Sequence, residues 1–93
     1  AVFIAPEALR GTPPSAASDV YALGITLFEM LTGEDAISPG PTQVMFQAAV
    51  RGEAQRRALQ RVPERLRAVV SRMLAVKPED RYASTGELVR DLD

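Results

Sequence analysis

One stretch decides the fold of this chain: SDVYALGITLFEML, residues 18–31. From Val20 to Leu31, apolar side chains cover nearly the whole circumference of a helix instead of one stripe. A helix of this kind is buried on every side or lies in a membrane, and this one is too short to span a bilayer. The pattern predicts a buried central helix, with Ser18 or Asp19 as its N-cap and Gly33 in the left-handed position after its end.

The sequence around this stretch predicts more helices and no strands. We expect a short helix over Pro6–Leu9, loops over residues 11–17 and 34–41, and a short helix over Thr42–Arg51. The polar, arginine-rich segment 52–62 shows no pattern that assigns it to an element.

The last third of the chain predicts two further helices. The first opens at Pro63 and cannot continue through Pro78. Its apolar residues recur at the i, i+3, i+4, i+7, i+8 spacing of one helix face: Leu66, Val69, Val70, Met73 and Leu74. Ser84 and Glu87 have the spacing of a capping box at the start of the last helix. The predicted fold class is all-α.

Composition narrows the possible functions. The 93 residues are 46% hydrophobic and 25% charged, with a net charge of -1, as in an ordinary globular domain. There is no Cys and no His, so disulfides, thiolate metal sites and Ser–His hydrolase chemistry are excluded. No acidic cluster has metal-ligand spacing, so we expect no metal site. The arginines between residues 51 and 72 are interrupted by glutamates and lack aromatic neighbours, so we expect a solvated helix face and no nucleic-acid partner.

Three motifs run in order along the chain: Ala5-Pro6-Glu7, Asp19-x-x-x-x-Gly24, and Pro78-Glu79-Asp80-Arg81. Each alone is weak evidence. Their order, with a wholly apolar helix directly after Asp19, resembles the protein kinase family, in which Ala-Pro-Glu follows the Asp-Phe-Gly metal motif. The sequence of these motifs is most similar to that of eukaryotic-like bacterial serine/threonine kinases. The resemblance implies the helical lower C-lobe, from the end of the activation segment to the last C-lobe helices, over residues 1–93.

The resemblance also implies roles for single residues. Glu7 and Arg81 are expected to form a buried ion pair that ties the activation segment to the lower helices. In the family, the aspartate that matches Asp19 accepts backbone N–H bonds from the catalytic loop. The sequence alone favours an N-cap, and because the catalytic loop is missing here we expect only the cap to operate. Gly24 implies close approach of another segment. Glu29 matches a position that faces substrate arginine in some kinases, and a structural salt bridge is the equal alternative. Met30 is expected in the core.

The same resemblance implies that the catalytic parts lie elsewhere. The Gly-rich loop, the phosphate-binding lysine, His-Arg-Asp and Asp-Phe-Gly all precede the matched region in the family, and only residues 1–4 precede Ala5 here. We therefore expect no catalytic, cofactor-binding or metal residue in this chain, with ATP and Mg²⁺ bound by the parent. Whether the chain belongs to an enzyme stays open at this point.

The expected partners are the missing N-lobe and upper C-lobe, and the parent's protein substrate. We expect no membrane segment here and a cytoplasmic kinase domain, which a parent can anchor to a membrane. Two alternatives are a pseudokinase C-lobe and a small helical interaction module. One departure concerns Glu34-Asp35-Ala36-Ile37, where the family usually has Arg/Lys-Pro-Pro-Phe, so the conformation of this loop is not predicted.

Overall fold

The computed structural model describes residues 5–92, and within them all regular structure is helical. In chain order the elements are α1 (Pro6–Leu9), α2 (Ala16–Thr32), α3 (Thr42–Val50), α4 (Glu53–Arg61), α5 (Glu64–Met73), a 3₁₀ turn (Pro78–Asp80) and α6 (Thr85–Leu92). The all-α prediction is confirmed. The expected patterned helix after Pro63 is α5, and the expected short helices are α1 and α3.

Helix α2 is the centre of the fold, but it begins earlier than predicted. Its N-cap is Ser15, whose hydroxyl accepts a hydrogen bond from the Ser18 backbone N–H at 3.2 Å, while the Ser18 hydroxyl accepts one from the Ser15 N–H at 2.8 Å. The prediction of Ser18 or Asp19 as the cap is therefore wrong, since both lie inside the helix. Gly33 ends α2 with φ 71°, in the left-handed conformation that the sequence predicted.

The main core lies where α2 packs against α4 and α5. It contains aromatic, branched and small residues that are almost wholly buried: Ala5, Tyr21, Ile25, Phe28, Ala36, Ala54, Ala58, Val62, Val70 and Leu74. A second cluster, on the other side of the contact between α2 and α5, joins α6 to the fold through Val20, Met73, Tyr82 and Leu88. Burial of apolar area of this kind is the dominant favourable term in folding.

Helix α4 occupies the arginine-rich segment to which the sequence assigned no element. Its buried face consists of Ala54 and Ala58, and Val62, the residue directly after the helix, continues the same row one turn after Ala58. The spacing of four residues places the three side chains on one side, over the core. Gly52 precedes the helix with φ 82°, so α3 and α4 meet at a sharp turn.

The loop after α2 contributes to the core despite its departure from the family pattern. Ala36 is fully buried and Ile37 packs against the main cluster. The backbone around them is held to α4 by side chains: the Arg61 guanidinium pairs with the Glu34 carboxylate, and Arg57 Nη1 donates to the Asp35 carbonyl at 2.7 Å. Residues 34–37, which differ from the usual family pattern, thus form a loop that is bonded to α4.

Helix α6 is capped by half of the predicted box. The Ser84 hydroxyl accepts a bond from the Glu87 N–H at 3.2 Å. The Glu87 carboxylate does not complete the box and instead accepts from Arg72 Nη2 at 2.6 Å. Arg72 also lies over the Tyr82 ring, 4.1 Å from its centroid, and the Tyr82 hydroxyl donates to Asp91 at 2.7 Å. These contacts join α6 to α5, whereas a reciprocal cap would bond only residues within α6.

Candidate functional site

Arg81 and Glu7 form a buried, two-bonded ion pair across the fold. Arg81 follows the 3₁₀ turn, and Glu7 lies in α1. Arg81 Nη1 donates to Glu7 Oε2 at 2.7 Å and Nη2 donates to Oε1 at 2.9 Å. The Arg81 side chain is 0% exposed and that of Glu7 11%. This parallel geometry is the strongest arrangement available to a carboxylate and a guanidinium.

The other Arg81 donors bind backbone carbonyls from two further parts of the fold. Nε donates to Ala75 O at 2.7 Å, Nη2 to Val76 O at 3.1 Å, and Nη1 to Ala17 O at 3.2 Å. A guanidinium has five N–H donors, and here each has a partner. Arg81 therefore joins α1, the first turn of α2 and the segment after α5 at one point.

An aromatic ring completes the surroundings of the guanidinium. The Arg81 Cζ atom lies 4.7 Å from the centroid of the Tyr21 ring, a cation–π distance. Tyr21 is 1% exposed, and its hydroxyl has no hydrogen-bond partner among the described residues. Burial is the main cause that raises the pKa of Tyr21 to about 12. The sequence did not single out Tyr21 for this role, because a ring under an arginine leaves no local pattern.

The charge state of Glu7 follows from two opposing effects. Burial by itself raises the pKa of the Glu7 carboxyl, but the hydrogen bond and the positive charge of Arg81, together with a backbone hydrogen bond, leave that pKa below its ordinary value of 4.5. The pair is thus ionised at neutral pH. Removing either partner would leave an uncompensated buried charge, at a cost of about 3–5 kcal/mol.

Gly24 lies where α2 and α5 come closest. A Cβ added to it would be 2.9 Å from the Met73 Cβ and 3.0 Å from the Leu74 Cδ2, both closer than such atoms normally approach. The segment that approaches Gly24 is therefore α5. A glycine within a helix costs about 1 kcal/mol relative to alanine, and here it permits the helices to meet.

Asp19 and Glu29 lie away from the Arg81 site. Asp19 is exposed in the first turn of α2, where it is not the N-cap. Glu29 is half-buried near the other end of α2. The structure thus joins two of the predicted residues, Glu7 and Arg81, and leaves these two apart from them.

One face of α2 is open to solvent although two of its four side chains are large and apolar. Asp19, Leu23, Thr26 and Met30 recur at spacings of four, three and four residues, and we call them the open face of α2. Leu23 is 40% exposed and Met30 75%. The expectation of Met30 in the core is therefore wrong. An all-round apolar helix does not reveal which of its faces the chain itself covers, and this face has no neighbour among the described residues.

Several arginines outside this site bind acidic side chains within the chain. Arg61 pairs with Glu34, Arg72 with Glu87, and Arg57 lies 3.9 Å from Glu53. Within residues 5–92 the structure has no group of three or more acidic, His or Cys side chains arranged to hold a metal ion. The same residues include no helix with the length and hydropathy needed to cross a bilayer.

Comparison with known proteins gives consistent matches. The model of the protein kinase domain matches residues 1–91. Serine/threonine-protein kinase PknD of Chlamydia pneumoniae is 38% identical over 93 residues, which are 98% of this chain and 10% of that protein. Serine/threonine-protein kinase PknB of Mycolicibacterium smegmatis is 40% identical over 95 residues, covering 99% of this chain and 15% of that protein.

A solved structure shows the same arrangement of helices. The Rad53 kinase domain with SCD2, in complex with AMPPNP, superposes with a TM-score of 0.75 at 25% identity, covering 94% of this chain and 36% of that one. The chain therefore spans about a third of that structure and a smaller share of the two curated relatives.

Proposed function

Because the chain belongs to the protein kinase domain family, we propose that it forms the helical, C-terminal part of the C-lobe of a serine/threonine kinase. It would run from the end of the activation segment to the last helices of that lobe. The complete enzyme would transfer the γ-phosphoryl group of ATP to a protein hydroxyl with the help of Mg²⁺. In this proposal the 93 residues support the catalytic parts and perform no chemistry themselves.

The single observation that carries the proposal is the bond between Glu7 and Arg81, which are 74 positions apart. It fastens α1, whose Ala-Pro-Glu matches the end of the activation segment, to the turn that holds Arg81. A buried ion pair at the end of the activation segment would hold the residues before it in a fixed position. Catalysis by kinases depends mainly on such positioning.

The open face of α2 supports the same proposal. Exposed apolar side chains rimmed by polar ones are typical of surfaces that another segment or protein covers. The upper C-lobe and the N-lobe of the parent are the partners we propose, with the upper C-lobe lying on Leu23 and Met30. The exposed Asp19 carboxylate at the beginning of this face would accept backbone N–H bonds from the catalytic loop.

The isolated chain would neither bind nor use ATP. Phosphoryl transfer needs metal-binding carboxylates, a lysine on the phosphates and an aspartate that orients the nucleophile. The one lysine, Lys77, is exposed on the segment before the 3₁₀ turn, and the sequence contains neither Asp-Phe-Gly nor His-Arg-Asp. The chain therefore lacks the catalytic motifs that bind the metal ions and orient the nucleophile.

Calorimetry and a phosphorylation assay test the proposal together. We expect no heat of binding when Mg-ATP is added to the 93-residue chain, and phosphorylation of serine or threonine by the longest natural polypeptide that contains it. Measurable Mg-ATP affinity of the 93 residues would contradict their inactivity. A longer polypeptide with the same fold but altered catalytic motifs would favour a pseudokinase. A 93-residue chain that stays monomeric even at high concentration and melts cooperatively would favour an independent helical module.

The role of the open face has its own test. Because Leu23 and Met30 are exposed, we expect the 93-residue chain to self-associate. Replacing both by glutamine should reduce this self-association, measured by sedimentation velocity. Val89→Gln is the matched control, because Val89 is 55% exposed on α6 and outside the open face. An equal effect of the control would show that the open face has no special part in association.

Glu29 would contribute to substrate recognition in the parent. Its carboxylate is half-buried at the end of α2 and thus only partly screened by solvent. In the longer polypeptide, Glu29→Gln should raise KM for a peptide substrate with an arginine near the phosphorylated residue. It should leave KM unchanged for the same peptide with alanine in that place. A change of equal size for both peptides would assign Glu29 a structural role.

A further inference from the structure

Ser38 differs from the other serines of the chain in what surrounds its hydroxyl. Those of Ser15 and Ser18 form the cap of α2, that of Ser84 caps α6, and Ser71 is buried with its hydroxyl bonded to Ala68 O. Ser38 is exposed in the loop before α3 and has no part in a cap. Its hydroxyl is free of the structural tasks that occupy the others.

A guanidinium lies directly against this hydroxyl. Arg57 Nη2 donates to Ser38 Oγ at 2.7 Å, across 19 positions of sequence. The other terminal nitrogen of Arg57 is fixed by the Asp35 carbonyl at 2.7 Å, so the plane of the guanidinium is oriented toward the loop. A fixed arginine beside an exposed hydroxyl is the geometry that binds a phosphate at that oxygen.

One carboxylate faces the same place. Glu53 Oε2 accepts a bond from the Ser38 N–H at 3.2 Å, and Glu53 Oε1 lies 3.9 Å from Arg57 Nη2. Arg57 is thus shared between a neutral hydroxyl and an anion. A phosphate on Ser38 would bear about two negative charges, so it would compete with Glu53 for Arg57 and would repel the Glu53 carboxylate.

We propose that Ser38 is a phosphorylation site whose phosphate is bound by Arg57. Ser38 Oγ attacks the γ-phosphorus of Mg-ATP in the active site of a protein kinase. The bond from that phosphorus to the β,γ-bridging oxygen breaks, ADP leaves, and the hydroxyl proton passes to the kinase base. The following residue is Pro39, in an exposed segment without regular structure that includes Gly40 and Pro41, so a proline-directed serine/threonine kinase is the class that fits.

Phosphorylation would change how the loop is fastened to α4. Arg57 Nη2 would turn from Glu53 to the phosphate, and repulsion would weaken the bond from the Ser38 N–H to Glu53. The loop carries Ala36 into the main core. The modification would therefore act on the contact between this loop and α4, on the side of the molecule that holds α3.

The experiment uses the longest natural polypeptide that contains the 93 residues, incubated with Mg-ATP and a separately added proline-directed kinase. Mass spectrometry locates the phosphate, with Ser38→Ala as the negative control. The modified protein is then treated with a broad-specificity phosphatase, and loss of phosphate from Ser38 is followed over time. The same is done for Arg57→Ala and for its matched control Arg56→Ala, whose guanidinium binds Arg51 O in the native chain.

We expect phosphate on Ser38, and we expect Arg57→Ala to speed its removal about two- to fivefold, as for loss of a partly exposed ion pair, while Arg56→Ala leaves the rate unchanged. Two results would overturn the proposal. One is labelling of Ser38 in a synthetic peptide of residues 34–44 but not in the folded protein. The other is equal rates of removal in Arg57→Ala and Arg56→Ala. Because the kinase is added separately, neither result depends on the activity of the chain's own parent.

Discussion

Replacing Glu7 by glutamine tests the energetic meaning of the buried ion pair. The substitution keeps the shape of the side chain, but it removes the negative charge and turns an amide N–H₂ toward an Arg81 nitrogen that only donates. Arg81 keeps its three carbonyl partners. We therefore expect Glu7→Gln to lower the unfolding free energy by about 3 kcal/mol, the lower end of the range for a broken buried ion pair.

Replacing the other partner, Arg81, by methionine should destabilise the chain more. Arg81→Met removes the bonds to Glu7 and also those to Ala17, Ala75 and Val76. Buried carbonyls left without donors cost about 1–3 kcal/mol each where water cannot reach them. The ranking Arg81→Met above Glu7→Gln thus follows from the donor count, and a simple pairwise salt bridge would predict similar losses.

Urea unfolding followed by circular dichroism measures both variants, at protein concentrations where sedimentation shows a monomer. Glu79→Gln is the control, because Glu79 is an exposed carboxylate in the 3₁₀ turn two residues before Arg81. We expect its effect to stay within about 0.5 kcal/mol, as is usual for surface positions. A loss below about 0.5 kcal/mol for Glu7→Gln, or a smaller loss for Arg81→Met than for Glu7→Gln, would refute the reasoning.

The stability contributed by Glu7 also has a defined pH dependence. Its pKa in the folded chain is lower than the ordinary value of 4.5. The unfolded chain therefore binds the proton first, and the contribution is complete above the unfolded pKa and is lost as the pH falls through the folded one. The difference in unfolding free energy between the native chain and Glu7→Gln should be constant at neutral pH and shrink below about pH 4.5.

Four further substitutions test other parts of the fold by the same unfolding measurement. Gly24→Ala should destabilise by about 1–3 kcal/mol through overpacking against Met73, offset in part by better helix propensity; a net gain would show that α5 yields easily. Tyr21→Phe should be neutral or slightly stabilising because the hydroxyl has no partner, and a loss above 1 kcal/mol would indicate one. Ser15→Ala should cost about 1 kcal/mol and Asp19→Ala less; the reverse order would place the cap at Asp19.

Much of the fold follows from strong local patterns in the sequence. The all-round apolar α2, its Gly33 end and the periodic face of α5 are encoded by residues close together in the chain. The start of α2 was mispredicted because Ser15, Ser18 and Asp19 are all good N-cap residues. Residue type does not choose among them. In the structure the first turn is held by the reciprocal bonds between Ser15 and Ser18 and by the bond from Arg81 to Ala17 O.

Helix α4 was missed for a different reason. Its buried face is made of alanines, which carry little hydrophobic signal beside three arginines and two glutamines. The exposure of Met30 could not be predicted from the sequence either, because burial depends on which face of α2 another segment covers. The carbonyl partners of Arg81 were unpredictable because a backbone carbonyl has no residue type to recognise.

The five-donor arrangement of Arg81 has a consequence for folding kinetics. Its partners come from segments up to 74 positions away, so all five bonds exist together only when α1, α2 and the segment after α5 have assembled. Contacts of such separation are costly to close early. We therefore expect the Arg81 bonds to be weak in the folding transition state. Their main effect would then be to slow unfolding, so this arginine would set the lifetime of the folded chain more than the speed at which it forms.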